Sequence, residues 1–156
     1  DGLKFCFIGD GNNMANSLIV GGLKVGMNVA VATPDGYKPD GAVLEFTKGY
    51  GDKFALETDP FMAASGADIL ITDTWTSMGE EAEKEERKKI FKDYQINRQL
   101  LAAANAGAMV QHCLPAYRGQ EITEEVFEEH ADEIFNEAES RLHAQKAVMV
   151  KLMKKD

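Results

Sequence analysis

The sequence is poor in the residues that mark secreted and membrane-spanning proteins. Its 156 residues include only two cysteines, Cys6 and Cys113, and these have no CxxC spacing. Two cysteines are too few for a disulfide framework, which favours a reducing compartment. Cys6 lies within an apolar run, where it is expected to act as a small buried hydrophobe. No apolar run approaches the ~20 residues of a membrane span, so we expect no membrane partner.

Positive charge is scarce as well. Lys and Arg number 17 against 26 Asp and Glu, which gives a net charge of -9. Such a surface repels polyanions, so we expect no nucleic-acid partner. No signal peptide is recognised, because Asp1 leads directly into an apolar strand pattern. A first residue other than Met suggests a cut or processed product.

Short apolar runs alternate with longer helical patterns along the chain, without internal repeats. Strands are predicted at 3–8, 28–32, 54–56, 68–72, 108–111 and 134–135. Helices are predicted at 13–25, 41–48, 60–66, 80–91, 97–105, 123–129 and 137–151. This alternation predicts a single α/β domain over 1–156, with a three-layer, doubly wound, mainly parallel sheet of the Rossmann-like type. Ligands of such sheets bind beyond the carboxyl ends of the strands, at the point where the strand order reverses.

Four polar segments follow predicted strands, and the first is Gly9-Asp10-Gly11-Asn12-Asn13. Its glycines allow a sharp turn, but the dinucleotide fingerprint GxGxxG fails because Met14 replaces the third Gly. Asn12 or Asn13 either caps the next helix or joins the helix N-terminus in holding a carboxylate.

The second segment runs from Asp73 to Glu80. Asp73 ends a strand, and its carboxylate at that position suits an ammonium group. Ser77 followed by Glu80 has the spacing of a capping box, which is an alternative to ligand binding. The charged run at 80–89 predicts a solvated helix, in which acids precede bases by four residues.

The third segment is His112-Cys113-Leu114-Pro115. Adjacent strand residues point to opposite faces, so the histidine and the cysteine cannot face the same way. A cysteine nucleophile and a zinc site are alternatives without a supporting sequence pattern. The step from Leu114 to Pro115 suits a cis bond that holds a tight turn.

The fourth segment spans 137–141 and contains Arg141. With a strand predicted at 134–135, this arginine is expected near the start of the last helix, on the same edge as the other three segments. The alternative is a solvated arginine that pairs with Glu137.

Together these motifs resemble the second domain of ornithine carbamoyltransferases. The matching stretches are GDGNNMANSL, DTWTSMGEE, YQIN, HCLPAYRG and NEAESRLHAQKAVM. The resemblance implies that Asn13, Asp73, Ser77 and Met78 hold the α-amino and α-carboxylate groups of L-ornithine. Cys113 stands where aspartate carbamoyltransferases usually carry Pro, and putrescine carbamoyltransferases lack the Ser-Met-Gly loop, so both features favour ornithine.

The resemblance also implies roles in carbamoyl transfer from carbamoyl phosphate, which gives citrulline and phosphate. Cys113 would lie beside the reacting side-chain nitrogen, and the carbonyls of Cys113 and Leu114 would accept bonds from the carbamoyl NH2. His112 would polarise the carbamoyl oxygen, Arg141 would contact carbamoyl phosphate, and the Leu114-Pro115 bond would be cis. No metal and no organic cofactor is implied.

The first domain of that family is absent from this sequence, because its Ser-Thr-Arg-Thr-Arg phosphate loop does not occur. We therefore expect half of an enzyme whose parent is a homotrimer or a multiple of trimers. The compartment would be the cytoplasm, or the mitochondrial matrix in a eukaryote. Two other functions stay open: an amino-acid-binding module without catalysis, and a dinucleotide-binding oxidoreductase domain.

The last helix carries apolar residues nearly all the way round. In the family this helix packs on the missing domain. We therefore expect an exposed apolar patch that promotes self-association.

Overall fold

The computed structural model describes residues 2–76 and 81–154, with only the backbone at position 81. The strands are β1 (Lys4–Ile8), β2 (Asn28–Ala32), β3 (Phe54–Glu57), β4 (Ile69–Thr72) and β5 (Met109–His112). The helices are α1 (Asn13–Lys24), α2 (Gly41–Thr47), α3 (Pro60–Ala64), α4 (Lys84–Phe91), α5 (Arg98–Ala103), α6 (Glu124–Glu129) and α7 (Ala131–Met153). Short 3₁₀ segments cover Lys48–Lys53, Glu81–Glu83 and Lys92–Tyr94.

The strands form one five-stranded sheet in the order β3-β2-β1-β4-β5, and every pairing is parallel. The chain builds outward from β1 to β3 and then returns to the other side of β1 for β4 and β5. The strand order therefore reverses between β1 and β4, which marks the expected position of a ligand crevice. The predicted doubly wound parallel sheet is confirmed.

Both faces of the central strands are buried, as the unbroken apolar runs predict. Cys6 and Ile8 of β1 face one apolar cluster, whereas Phe5 and Phe7 face the other. Cys6 is fully buried, and this burial raises the pKa of its thiol to about 12. Cys6 is therefore the small core residue that the sequence predicts.

The predicted strand at 134–135 is wrong, because these residues belong to α7. An apolar pair is too short to show a period, and here Ile134 alone is buried while Phe135 is exposed. α7 consequently begins six residues earlier than predicted, and Arg141 lies in its middle rather than near its start.

The C-terminal half of α7 leaves large apolar side chains in solvent. The exposed side chains there are Leu142, Val148, Met149, Val150, Leu152 and Met153. The predicted apolar patch is confirmed, and self-association through it stays a prediction. None of the helices among the described residues is long and apolar enough to cross a membrane.

Candidate functional site

The carboxyl ends of β1, β4 and β5 meet at the point where the strand order reverses. Thr72 at the end of β4 donates its hydroxyl to the Ile8 carbonyl of β1 at 2.7 Å. On its other side, the Thr72 carbonyl accepts the Cys113 N–H just beyond β5 at 3.4 Å. These bonds hold together the starts of three of the four polar segments. We call the space beyond them the crevice.

The glycines of the first segment serve the fold of the loop. Gly9 has a φ of 145°, a conformation that favours glycine. Gly11 donates its N–H to the Tyr37 carbonyl at 2.9 Å, and a Cβ on Gly11 would collide with the backbone of Tyr37, Lys38 and Pro39. The backbone that approaches Gly11 is thus the protein's own. This observation explains the second glycine without a dinucleotide.

The two asparagines of this segment have different roles. The Asn12 side chain caps α1 by accepting the N–H groups of Met14 and Ala15, at 2.9 and 3.2 Å. Asn13 is the exposed first residue of α1, and none of the bonds found among the described residues uses its side-chain amide. The cap is therefore Asn12, and Asn13 is available at the helix N-terminus.

Asp73 is a half-buried carboxylate directly after β4. Burial raises the pKa of the Asp73 carboxyl, while the Thr74 N–H, His112 and the Asn12 amide lower that pKa in part. The Asn12 amide nitrogen has no partner of good hydrogen-bond geometry among the described residues, although it lies close enough to Asp73 to act on it. A carboxylate that is partly shielded from water in this way is stabilised by a cationic ligand.

His112 is fully buried at the end of β5, and both of its ring nitrogens are occupied. Nδ1 accepts the Leu114 N–H at 2.9 Å, so the proton of the ring must lie on Nε2. Nε2 then donates to Glu121 Oε1 at 2.9 Å. Neither nitrogen is left for a substrate oxygen. This geometry favours a positioning role for His112, and its direct polarisation of the carbamoyl oxygen stays a prediction.

Glu121 is the partner that the sequence did not reveal. Its side chain is fully buried, and Oε1 also accepts the Tyr117 N–H. Its Oε2 is buried without a hydrogen-bond partner among the residues described. Glu121 precedes an apolar residue in a loop without periodicity, so only the rule that a buried histidine needs a partner could have suggested it.

The loop after β5 has an unusual backbone. The peptide bond between Leu114 and Pro115 is cis, which confirms the prediction. Leu114 has a φ of 51°, a region that non-glycine residues rarely occupy. The bond from its N–H to His112 holds this conformation, so the His112–Glu121 pair fixes the backbone at Cys113 and Leu114.

Cys113 lies half-buried in the crevice. Burial and the negative charges of Asp73 and Glu137 raise the pKa of its thiol to about 12, and Arg141 lowers it only in part. The thiol is therefore protonated at neutral pH. This state removes the alternative of a thiolate nucleophile, because the thiolate is the reactive form.

Arg141 is exposed in the middle of α7 and acts electrostatically on Cys113, which places it beside the crevice. The predicted pair with Glu137 is not among the ion pairs of the described residues. Ser77, Met78 and the capping box from Ser77 to Glu80 lie outside the described residues.

Arg87 is buried, although the sequence placed it on a solvated helix. Its guanidinium pairs with Asp10, and its Nε donates to the Trp75 carbonyl at 2.6 Å. It also lies over the rings of Tyr37 and Phe91, at 4.9 and 5.5 Å. We call this group the clasp. It ties the middle of α4 to the loop after β1.

Comparison with known proteins identifies the family. Residues 1–152 match the model of the aspartate/ornithine carbamoyltransferase Asp/Orn binding domain. The chain is 55% identical to the ornithine carbamoyltransferase of Gloeobacter violaceus, over 97% of this chain and 50% of that protein. It is 51% identical to that of Methanosarcina mazei, over 99% of this chain and 51% of that protein.

Solved structures agree with this result. The anabolic ornithine carbamoyltransferase of Campylobacter jejuni superposes with a TM-score of 0.91 at 44% identity, over 96% of this chain and 51% of that one. The ornithine carbamoyltransferase of Pyrococcus furiosus superposes with a TM-score of 0.86 at 46% identity, over 96% of this chain and 49% of that one. The chain thus spans about half the length of the relatives it matches. It belongs to the aspartate/ornithine carbamoyltransferase family and corresponds to the Asp/Orn binding domain of that family.

Proposed function

We propose that this chain is the ornithine-binding half of an ornithine carbamoyltransferase. The observation that carries the proposal is the half-buried carboxylate of Asp73 directly after β4, which acts electrostatically on the Cys113 thiol. A negative crevice without a metal cluster among the described residues suits an amino acid with extra positive charge. The high identity to enzymes named ornithine carbamoyltransferase supports the same substrate.

Ornithine would lie with its α-groups near α1. The N-terminus of α1 and the Asn13 amide would receive the α-carboxylate, because N–H groups and the helix dipole favour anions there. Asp73 would hold the α-ammonium group. Ser77 and Met78 would also hold the α-groups of ornithine.

The reaction would be an acyl transfer without a covalent enzyme intermediate. The neutral side-chain amine attacks the carbamoyl carbon, a C–N bond forms, and the bond from that carbon to the phosphate oxygen breaks. The leaving phosphate takes the amine proton, which leaves citrulline and phosphate. Holding the amine against the carbonyl carbon supplies much of the rate, since orientation alone can contribute about 7–11 kcal/mol.

The loop after β5 would position the carbamoyl group. The carbonyls of Cys113 and Leu114 accept bonds from the carbamoyl NH2, and Arg141 contacts the phosphate. His112 and Glu121 act through the backbone, because they fix Leu114 in its unusual conformation. Cys113 is a neutral neighbour of the reacting nitrogen, since its thiol stays protonated.

The missing half would supply the main carbamoyl-phosphate site and the subunit contacts of a homotrimeric parent. We accordingly propose a cytoplasmic enzyme, or one of the mitochondrial matrix in a eukaryote, with neither nucleic acid nor membrane as a partner. The isolated chain would bind ornithine with a dissociation constant near the millimolar range, about -4 kcal/mol. It would catalyse no measurable transfer, because carbamoyl phosphate is not held in line.

The test is a titration of the chain with L-ornithine, in which binding is measured by the NMR chemical shifts of the backbone amides. Shifts should concentrate at residues 9–14, 73–76 and 112–115. Asp73→Asn should weaken binding at least about tenfold, since a hydrogen bond to a charged group contributes roughly 1.5–3 kcal/mol. Asp35→Asn, at an exposed acid, is the matched control. An unchanged affinity of Asp73→Asn would overturn the proposed site.

A binding module without catalysis is the second candidate, and the half-length match favours it for the isolated chain. Citrulline formation separates the two functions when the chain is mixed with the carbamoyl-phosphate half of a relative. Transfer by the mixture, with none by either half, supports the enzyme. Binding of ornithine without transfer by any mixture supports the module.

A further inference from the structure

The outer edge of β5 is covered by carboxylates of α7. Within the sheet, Met109 and Cys113 donate their N–H groups toward β4, so the N–H groups of Val110 and His112 point to the open side. Val110 donates to Glu133 Oε2 at 2.9 Å. The His112 N–H lies close enough to the Glu137 carboxylate to act on it. One acid of α7 thus accepts a hydrogen bond from the edge strand, and a second acid lies one turn further along the same edge.

The spacing of this arrangement follows from helix and strand geometry. Alternate residues of a strand are about 6.6 Å apart, and one turn of a helix rises about 5.4 Å. Glu133 and Glu137 lie one turn apart and therefore match Val110 and His112. Arg141 lies one turn further, which brings it level with the loop after β5.

The two acids differ in how fully their oxygens are hydrogen-bonded. Glu133 Oε2 accepts both Val110 and the Nδ1 of His130, at 2.9 and 3.1 Å. Glu137 Oε2 is buried and finds no hydrogen-bond partner within the described part of the chain. At least one oxygen of the Glu137 carboxylate is therefore not satisfied by the described residues.

The surroundings of Glu137 are those of the crevice. Burial and the charge of Asp73 raise the pKa of the Glu137 carboxyl, while the His112 N–H and imidazole lower it. Glu137 in turn acts on Cys113, as Asp73 and Arg141 do. Since Arg141 and Glu137 form no ion pair among the described residues, Asp73 and Glu137 give the crevice two carboxylates that are not neutralised.

We propose that Glu137 is a specificity-determining residue of this crevice, whose charge favours the side-chain ammonium group of the ligand. Its buried Oε2 has no hydrogen-bond partner among the described residues, so the charge is left for a ligand. This inference rests on the proposed function. Ornithine carries two ammonium groups, so Asp73 would serve the α-ammonium and Glu137 the one beside Cys113. Glu137 acts through space and is not a catalytic residue.

The experiment compares two ligands on the same chain. L-Ornithine and L-2-aminopentanoate differ only by the side-chain amine, and both are titrated by NMR. Glu137→Gln keeps the size of the side chain and one carbonyl oxygen but removes the charge. Glu133→Gln makes the same change one turn away from the crevice and is the matched control. Glu137→Asp keeps the charge and guards against a result caused by misfolding.

Glu137→Gln should weaken ornithine binding about five- to thirtyfold, as expected for loss of one charge near a partly buried cation. The affinity of the same variant for 2-aminopentanoate should stay within about twofold of that of the unchanged chain. Glu133→Gln should change the affinity for either ligand by no more than about twofold. Glu137→Asp should keep most of the preference for ornithine.

Three results would overturn the inference. Equal behaviour of Glu137→Gln and Glu133→Gln would show that the charge of Glu137 does not reach the ligand. Equal loss of both ligands in Glu137→Gln would show a structural role alone, as would loss of the preference in Glu137→Asp. If the unchanged chain binds neither ligand, the proposed function itself fails, and this outcome is distinct from the other three.

Discussion

The clasp and the crevice both bury charge, but they treat it in opposite ways. In the clasp, Arg87 meets Asp10, a carbonyl and two aromatic rings, so its charge is matched by partners. In the crevice, Glu121 and Glu137 each have one buried oxygen without a partner among the residues described. The difference indicates that the clasp holds the fold, whereas the crevice carries a cost that a ligand can relieve.

The largest effect should come from breaking the clasp. Arg87→Ala removes the guanidinium from the largely buried Asp10 carboxylate and should lower the free energy of unfolding by about 3–5 kcal/mol. Urea denaturation followed by circular dichroism measures the change. Arg98→Ala is the control, because Arg98 is half-exposed between Glu125 and Glu129. It should cost no more than about 1 kcal/mol, and equal losses in the two variants would remove the distinction.

The next largest effect should come from the His112–Glu121 pair, which holds the backbone of the loop after β5. Glu121→Ala leaves the His112 Nε2–H and the Tyr117 N–H without their acceptor, so it should cost about 2–3 kcal/mol. NMR shifts should also change at Leu114, whose backbone His112 holds. Glu121→Gln retains an acceptor and should cost less. A chain that tolerates the alanine without loss would show that Glu121 does not organise this loop.

The smallest effect should come from Asp73→Asn, which should raise the free energy of unfolding instead of lowering it. Folding raises the pKa of Asp73, so the folded chain holds this proton more tightly than the unfolded chain, and ionisation costs folding free energy. Asp73→Asn should therefore stabilise the chain at neutral pH by up to about 1 kcal/mol, after allowance for partial exposure to solvent. The gain should vanish below the ordinary aspartate pKa of about 3.9.

Thermal unfolding of Asp73→Asn at neutral and at acid pH measures this difference. Asp35→Asn, at a well-exposed side chain, should show no such dependence. A destabilised Asp73→Asn at neutral pH would mean that Asp73, like Asp10, is matched within the fold. In that case the contrast between clasp and crevice would disappear.

The sequence predicted the sheet and the edge of the site because both follow from local patterns. Unbroken apolar runs identify buried parallel strands, and polar residues directly after them must lie at the carboxyl edge. Asp73 and His112 were located in this way, and the cis bond at Leu114 was suggested by the proline. Features of the structure that depend on one residue or on a short stretch of chain could therefore be predicted from the sequence.

The parts that were wrong or missed depend on contacts between distant segments. Arg87 lies in a charged run whose pattern is that of a surface helix, yet Asp10 and Tyr37 from other loops bury it. Glu121 pairs with His112 across a loop without periodicity. The choice of Asn12 over Asn13 as the cap required the backbone conformation, because both positions carry asparagine, a favoured N-cap residue.

The match between α7 and β5 has a consequence for how this family can change over evolution. Single substitutions along 131–141 leave the spacing of Glu133 and Glu137 intact. An insertion or deletion of one residue between them would rotate the following helix by about 100°. One acid would then leave the edge of β5, and Arg141 would turn away from the crevice. We therefore expect relatives to vary in composition along this stretch while its length stays constant.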